Sequence, residues 1–158
     1  MCTNGFSLNE IIAKCRNGSC LKKSDIENYM NVYYKKFKLR EEYWDVKILE
    51  YIMSFYRERK VFYDLAHPSN FVIRKICEDI LKELGIDAKL SLLDKCLDSY
   101  EYAIYPDVQE ALGLDYGGEN DIIRNKSNFK LLPEEDMDFE QYIKQYIYWC
   151  HNNTFMAC

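Results

Sequence analysis

Histidine is scarce in this chain, with two residues in 158, and none of its seven cysteines forms a Cys-x-x-Cys pair. Together these exclude a metal centre built at any familiar ligand spacing. Long apolar runs are missing too. No stretch approaches the ~18 residues of a membrane-spanning helix, and no secretory signal opens the chain. The sequence therefore implies a soluble, cytoplasmic protein with reduced thiols. Basic excess is also absent. A net charge of −5 gives no support to a nucleic-acid role.

What is present argues for a folded globule. Hydrophobic residues make up 48% and aromatics 15% of the chain, too much for disorder. The length fits one domain. Fourteen tyrosines favour half-buried helix faces and polar-lined clefts, because the ring packs while the hydroxyl seeks a partner. An AT-rich coding sequence would enrich tyrosine as well. Charge is uneven: residues 1–60 hold 12 Lys and Arg against 8 Asp and Glu, whereas residues 61–158 hold 9 against 18. A positive first third suits an anionic ligand such as a nucleotide phosphate, or is simply a set of solvated helix faces.

Periodicity gives mostly helices. Leu8, Ile11, Ile12 and Cys15 sit at helical spacing, ended by Asn17-Gly18, in a segment (1–20) that is otherwise poorly determined; if the chain is the C-terminal part of a longer one, this piece is expected to pack on the part that is absent. Ser24, with Glu27 three residues on, reads as a capping box opening a helix with the stripe Ile26, Tyr29, Met30, Tyr33, Tyr34 and Phe37. The cations Lys35, Lys36, Lys38 and Arg40 at its end offset the helix dipole. Asp45 is placed to cap a third helix burying Val46, Ile48, Leu49, Ile52, Met53 and Phe55. Val72, Ile73, Ile76, Cys77, Ile80, Leu81 and Leu84 mark another, with Gly85 as its left-handed stop. Cys77 and Cys96 fall in apolar patterns and read as small core residues. Leu90–Leu97 predicts a short helix or turn, Tyr100–Tyr105 a short strand, and Pro106-Asp107 a brief helix stopped by Gly113. Residues 115–136 read as an irregular loop. Asp138 and Gln141 then cap a last helix with the apolar side Phe139, Tyr142, Ile143, Tyr146, Ile147 and Trp149, followed by a frayed tail from Asn152. The organisation is an N-terminal segment (1–20), one helical domain (21–152) and a tail (153–158).

The stretch Lys60–Asn70 holds the chemistry. An apolar run, Val61-Phe62-Tyr63, predicts a buried strand; Asp64 and His67 follow, and Pro68 suits the first turn of the next helix. A carboxylate that orients a neutral imidazole makes it a general base near pH 7. The plainer account is that Asp64 caps the helix and His67 is a surface loop residue. Arg57, Arg59 and Lys60 precede the strand, placed either to meet an anionic substrate or merely to decorate a helix end.

Asp64-Leu-Ala-His67-Pro68 before an amphipathic helix resembles the last block of the SGNH (GDSL-like) hydrolase and acyltransferase superfamily. More closely, Asp45–Ile52, Arg59–Phe62, His67-Pro68-Ser69-Asn70 and Ile104-Tyr105-Pro106-Asp107-Val108 with Ala111–Leu114 resemble the WcbI-like polysaccharide biosynthesis family over roughly residues 35–149. The resemblance implies acyl transfer from acetyl-coenzyme A to a saccharide acceptor. It implies His67 as base and Asp64 as its partner, coenzyme A phosphates on Arg57, Arg59 and Lys60, and substrate contacts from Asn70 and Tyr105. Tyr105 reads equally as a core tyrosine. The strand and Gly-rich turn with which such proteins begin have no counterpart here; Gly5-Phe6-Ser7-Leu8 echoes a Gly-Asp-Ser-Leu block without a preceding strand. The expected fold is mainly α with one or two short strands, as the C-terminal part of an α/β, SGNH-like fold. A separate N-terminal half or self-association would complete it. Two rivals follow from the same residues: a non-catalytic helical module that binds a partner protein, and a plain hydrolase using Ser7.

Overall fold

The computed structural model describes residues 5–63, 67–88, 90, 101–123 and 136–153. Among them are six helices: α1 (Leu8–Arg16), α2 (Lys23–Glu41), α3 (Leu49–Phe55), α4 (Asn70–Glu83), α5 (Pro106–Leu112) and α6 (Phe139–Asn153). The protein is mainly α. Extended pairing among the described residues is limited to two antiparallel bridges, Phe62 with Pro68 and Ile123 with Met137. The apolar run at Val61–Tyr63 therefore joins no sheet among the described residues. It turns back on itself, with Tyr63 N–H donating to the His67 carbonyl (3.0 Å) and Ser69 N–H to that of Val61 (2.9 Å). Residues 101–105 run beside it, held by Tyr102 N–H on the Tyr63 carbonyl (2.8 Å). The expected Leu90–Leu97 element lies almost wholly outside the described residues, as do Cys96 and the loop from 124 to 135.

Helix ends follow local chemistry in four of six cases. Ser7 and Glu10 form a reciprocal capping box at α1, so the serine weighed as a nucleophile is an N-cap. Asp138 and Gln141 do the same at α6, exchanging N–H bonds of 2.9 and 2.8 Å. At α4, Gly85 (φ 70°) takes the left-handed position. Gly85 N–H then reaches the Lys82 carbonyl and Ile86 N–H that of Leu81, a Schellman ending. Tyr105 precedes Pro106 at the start of α5, and Gly113 (φ 62°) stops it.

Two expected starts are displaced. The Ser24–Glu27 box does not form. Instead α2 begins at Lys23 with no side-chain cap, and Cys20 and Leu21, just upstream, donate their N–H groups to the buried Asp107 carboxylate (2.8 and 2.5 Å). Asp45 does not cap α3 either. The buried Glu41 carboxylate accepts from Ile48 N–H and, at 2.6 Å, from Leu49 N–H, which fixes the start of α3. Pro68 stands one residue before the cap of α4 rather than inside it. Because Glu41→Ala would strand two buried donors, it is expected to cost about 2–3 kcal/mol in urea unfolding, and Glu41→Gln, which keeps an acceptor, less.

The apolar residues gather in two small cores. One joins Ile12 and Cys15 of α1 to Ile123, Met137, Phe139, Tyr142 and Ile143. α1 thus packs within the fold against α6. The second joins Ile48, Ile52, Val61 and Val72, with Tyr51, Phe55 and Phe71 forming an aromatic cluster between α3 and α4 at centroid distances of 4.9–5.1 Å. On α2 only part of the expected stripe turns inward: Ile26, Met30, Tyr34 and Phe37 are half-buried, whereas Tyr29 and Tyr33 are exposed and lie against each other.

Candidate functional site

Three sets of bonds stitch the two cores together, and the candidate residues lie along that seam. Lys60 comes from the second core's side. Its ammonium contacts Glu101 (3.1 Å) and Asp121 (2.6 Å), with Glu101 only 1% exposed. Asp115 N–H donates to the Arg57 carbonyl (2.8 Å). The Tyr116 hydroxyl donates to the Tyr56 backbone carbonyl (2.7 Å). Lys60, expected as a phosphate ligand, is thus already neutralised by two carboxylates and holds the seam instead. That pairing spans 41 and 61 residues of sequence, and no local spacing announces it.

Arg57 and Arg59 differ from Lys60. Both are exposed, and neither makes an ion pair with a described residue. Arg57 Nε donates to the Tyr56 hydroxyl (3.0 Å). The Arg59 guanidinium sits over the Phe71 ring at 4.5 Å. Phe71 is the second residue of α4, so this cation lies at the helix start that His67 precedes. Stacking leaves the guanidinium edge available for an anion.

His67 is exposed on the turn back from Phe62, pinned through its own carbonyl. Asp64 lies outside the described residues. Asn70, the first residue of α4, is buried, and its Nδ2 has no protein hydrogen-bond partner; the same holds for Ser69 Oγ. Tyr105 faces another way. Its ring meets Phe139 edge-on at 5.5 Å within the first core, and burial raises its phenol pKa above the ordinary value. The core reading of Tyr105 is the one its surroundings match, and its placement fixes the start of α5.

Burial raises other acids in the first core and the seam. It pushes the Cys15 thiol to about 12, with the Cys20 sulfur, 3.4 Å away, adding to the effect. Tyr116 is pushed to about 12, and Tyr142 also rises. These groups are neutral when protonated, and folding raises their pKa. Their stabilisation is therefore complete below the unfolded values of 9.0 and 10.0 and is lost as pH climbs towards about 12. Urea midpoints are expected to fall between pH 9 and 11, and an absorbance titration at 295 nm should show a late tyrosine class that ionises together with unfolding.

Sequence reasoning missed a cleft. Arg16, Pro106, Gln109, Asp115, Tyr116, Gly117, Glu119, Asn120 and Asp121 line a hollow of about 490 Å³ at the end of the seam. Gly117-Gly118, read only as a loop signal, was the available clue. Among the described residues, no group of three or more His, Cys, Asp or Glu is placed to hold a metal ion, and no helix is long and apolar enough to cross a membrane.

The family described as polysaccharide biosynthesis enzyme WcbI matches residues 2–89, more than half of the chain. The chain belongs to the WcbI family. That match includes α1 to α4 and the Arg57–Asn70 stretch, starts well before the resemblance seen around residue 35, and stops short of Tyr105. Among solved structures, one of WcbI matches with a TM-score of 0.57 at 20% identity, over 91% of this chain and 46% of that one. It shares the fold, and this chain spans about half of its length. That structure is described as the native protein without a disulfide bond between coenzyme A and one of its own cysteines. A comparison with curated proteins finds no match. Membership of the SGNH superfamily is not among the findings.

Proposed function

We propose that this WcbI-family chain serves polysaccharide biosynthesis by acetyl transfer from acetyl-coenzyme A to a sugar hydroxyl. The observation that carries the proposal is the arrangement around the start of α4: an exposed imidazole, an unpaired stacked guanidinium and buried side-chain donors at one helix start. The coenzyme supplies an activated acyl group. Arg57 and Arg59 fit its phosphates, since both are exposed and make no ion pair with a described residue, and the N-terminus of α4 favours negative charge. Lys60 does not fit that role.

His67 takes the proton of the acceptor hydroxyl as its oxygen attacks the thioester carbonyl, then returns a proton to the departing thiolate, so the imidazole ends neutral. Asp64 orients the ring. Asn70 Nδ2 is a donor for the substrate at the same end, and an SGNH-like origin would suit such a corner. Cytoplasmic activated sugars and coenzyme would meet there. The test is release of free coenzyme thiol from acetyl-coenzyme A with and without a panel of saccharides. Acceptor-dependent release that yields an O-acetylated sugar supports the reading, and release independent of any sugar favours a plain hydrolase.

A second reading has its own observation. The outward face of α2 and the turn after it expose Tyr29, Val32, Tyr33, Leu39 and Tyr43. Such a face suits a non-catalytic helical module docking on a partner protein, either a separately made N-terminal half or a second copy. A concentration-independent monomer in sedimentation would count against self-association through α2.

A further inference from the structure

We infer that the cleft between α5 and the 115–121 segment is a binding site for a neutral saccharide. Its volume, about 490 Å³, lies within the ~300–1,000 Å³ usual for small-molecule sites. Its walls are fixed by bonds made elsewhere. Asp121 is held by Lys60 (2.6 Å), Glu119 by Arg16 (3.2 Å), and the Tyr116 hydroxyl by the Tyr56 carbonyl (2.7 Å). Arg16 is tied in turn to Glu140 of α6 (3.1 Å). What these bonds leave uncommitted is informative. The side chains of Gln109, Asp115 and Asn120 line the hollow and make no side-chain hydrogen bond with another described residue.

Two amides and a carboxylate offer donors and acceptors together, the pattern that matches vicinal hydroxyl groups, each of which both donates and accepts. Pro106 and the Tyr116 ring supply apolar contact for the C–H face of a pyranose. Two glycines are required beside the hollow. A Cβ on Gly117 would lie 2.8 Å from that of Ile104, and one on Gly118 would lie 2.2 Å from Gln109 Oε1. Both glycines also have positive φ, 87° and 76°. Their bare backbone lets the segment pack against α5 while leaving the hollow open.

Charge excludes the obvious alternative. The one cation of the lining, Arg16, is already held by Glu119 and Glu140, so a phosphorylated ligand finds no uncommitted cation there. A metal ion is disfavoured because two of the three carboxylates of the lining are already neutralised by Arg16 and Lys60. The cleft adjoins the proposed coenzyme ligands, since Asp115 N–H bonds the Arg57 carbonyl. Its identity as the acceptor site rests on the acetyl-transfer reading; sugar binding itself does not.

The experiment is nitrogen–proton correlation spectroscopy of the whole chain, titrated with a panel of neutral methyl hexopyranosides and with the matching hexose 6-phosphates. At least one neutral sugar is expected to shift the Gly117 and Gly118 amides and the Gln109 and Asn120 side-chain amides saturably. The corresponding phosphate should bind at least threefold more weakly. Gln109→Ala/Asn120→Ala should weaken binding at least tenfold with the rest of the spectrum retained. No response at these amides from any sugar, an unchanged affinity in the double variant, or preference for the phosphate would overturn the proposal. Coenzyme A binding without any sugar response would sink the cleft assignment and leave the transferase reading standing, and the converse result would do the reverse.

Discussion

Replacing Lys60 with methionine is expected to cost about 3–5 kcal/mol of folding stability, the range for removing one partner of a buried ion pair. Methionine keeps the length and most of the packing but removes the ammonium that Glu101 and Asp121 both contact. The effect reaches beyond the pair. Lys60 adjoins Val61 of one core, whereas Asp121 stands two residues from Ile123 of the other, so the ammonium is a main tie between them. Urea unfolding at pH 7 measures the loss. Adding Glu101→Gln to the variant should recover part of it. A single-variant deficit below about 1 kcal/mol, in the range of an exposed pair, would mean that the triad holds nothing together.

The second large effect concerns catalysis. His67→Ala is expected to lower acceptor-dependent acetyl transfer by about 10²–10⁴-fold, the usual contribution of a positioned general base. The backbone turn should be retained. The imidazole is exposed, and the contact that pins the turn uses the His67 carbonyl, which alanine keeps. Asp64→Asn should act in the same direction with a smaller loss, since the ring persists but its orientation is less favourable. The readouts are the thiol-release rate and a thermal melt on the same preparations. Activity within threefold of the parent in a folded His67→Ala variant would remove His67 from the mechanism.

Much of the helical framework was legible because its determinants are local. Asp138 and Gln141 cap α6, Gly85 ends α4 and Gly113 ends α5 as their spacing indicates. The failures share one cause, carboxylates that act across the sequence. Glu41 caps α3 from seven residues upstream, displacing Asp45. Asp107 holds the approach to α2 from 87 residues away, and the Ser24–Glu27 box is left unused. Lys60 reads as a surface cation until Glu101 and Asp121 are brought to it. The Val61–Tyr63 run has the composition of a buried strand but meets its own return at Pro68, with Tyr102 N–H bonded to its far end at Tyr63. At the candidate site, the chain order alone places Arg57, Arg59 and His67 near the start of α4. The cleft at 115–121 was hidden because its walls come from three separate stretches of chain, with polar residues that resemble any loop.

The central claim is that this chain holds coenzyme A at the start of α4, and calorimetric titration of the purified chain with coenzyme A tests it most directly. The account predicts one saturable site, weakened at least tenfold in Arg57→Ala/Arg59→Ala, weakened by added salt, and retained in Gln109→Ala/Asn120→Ala. No heat of binding from a chain that melts cooperatively, or binding that the double arginine variant leaves unchanged, would contradict it and favour the partner-binding module.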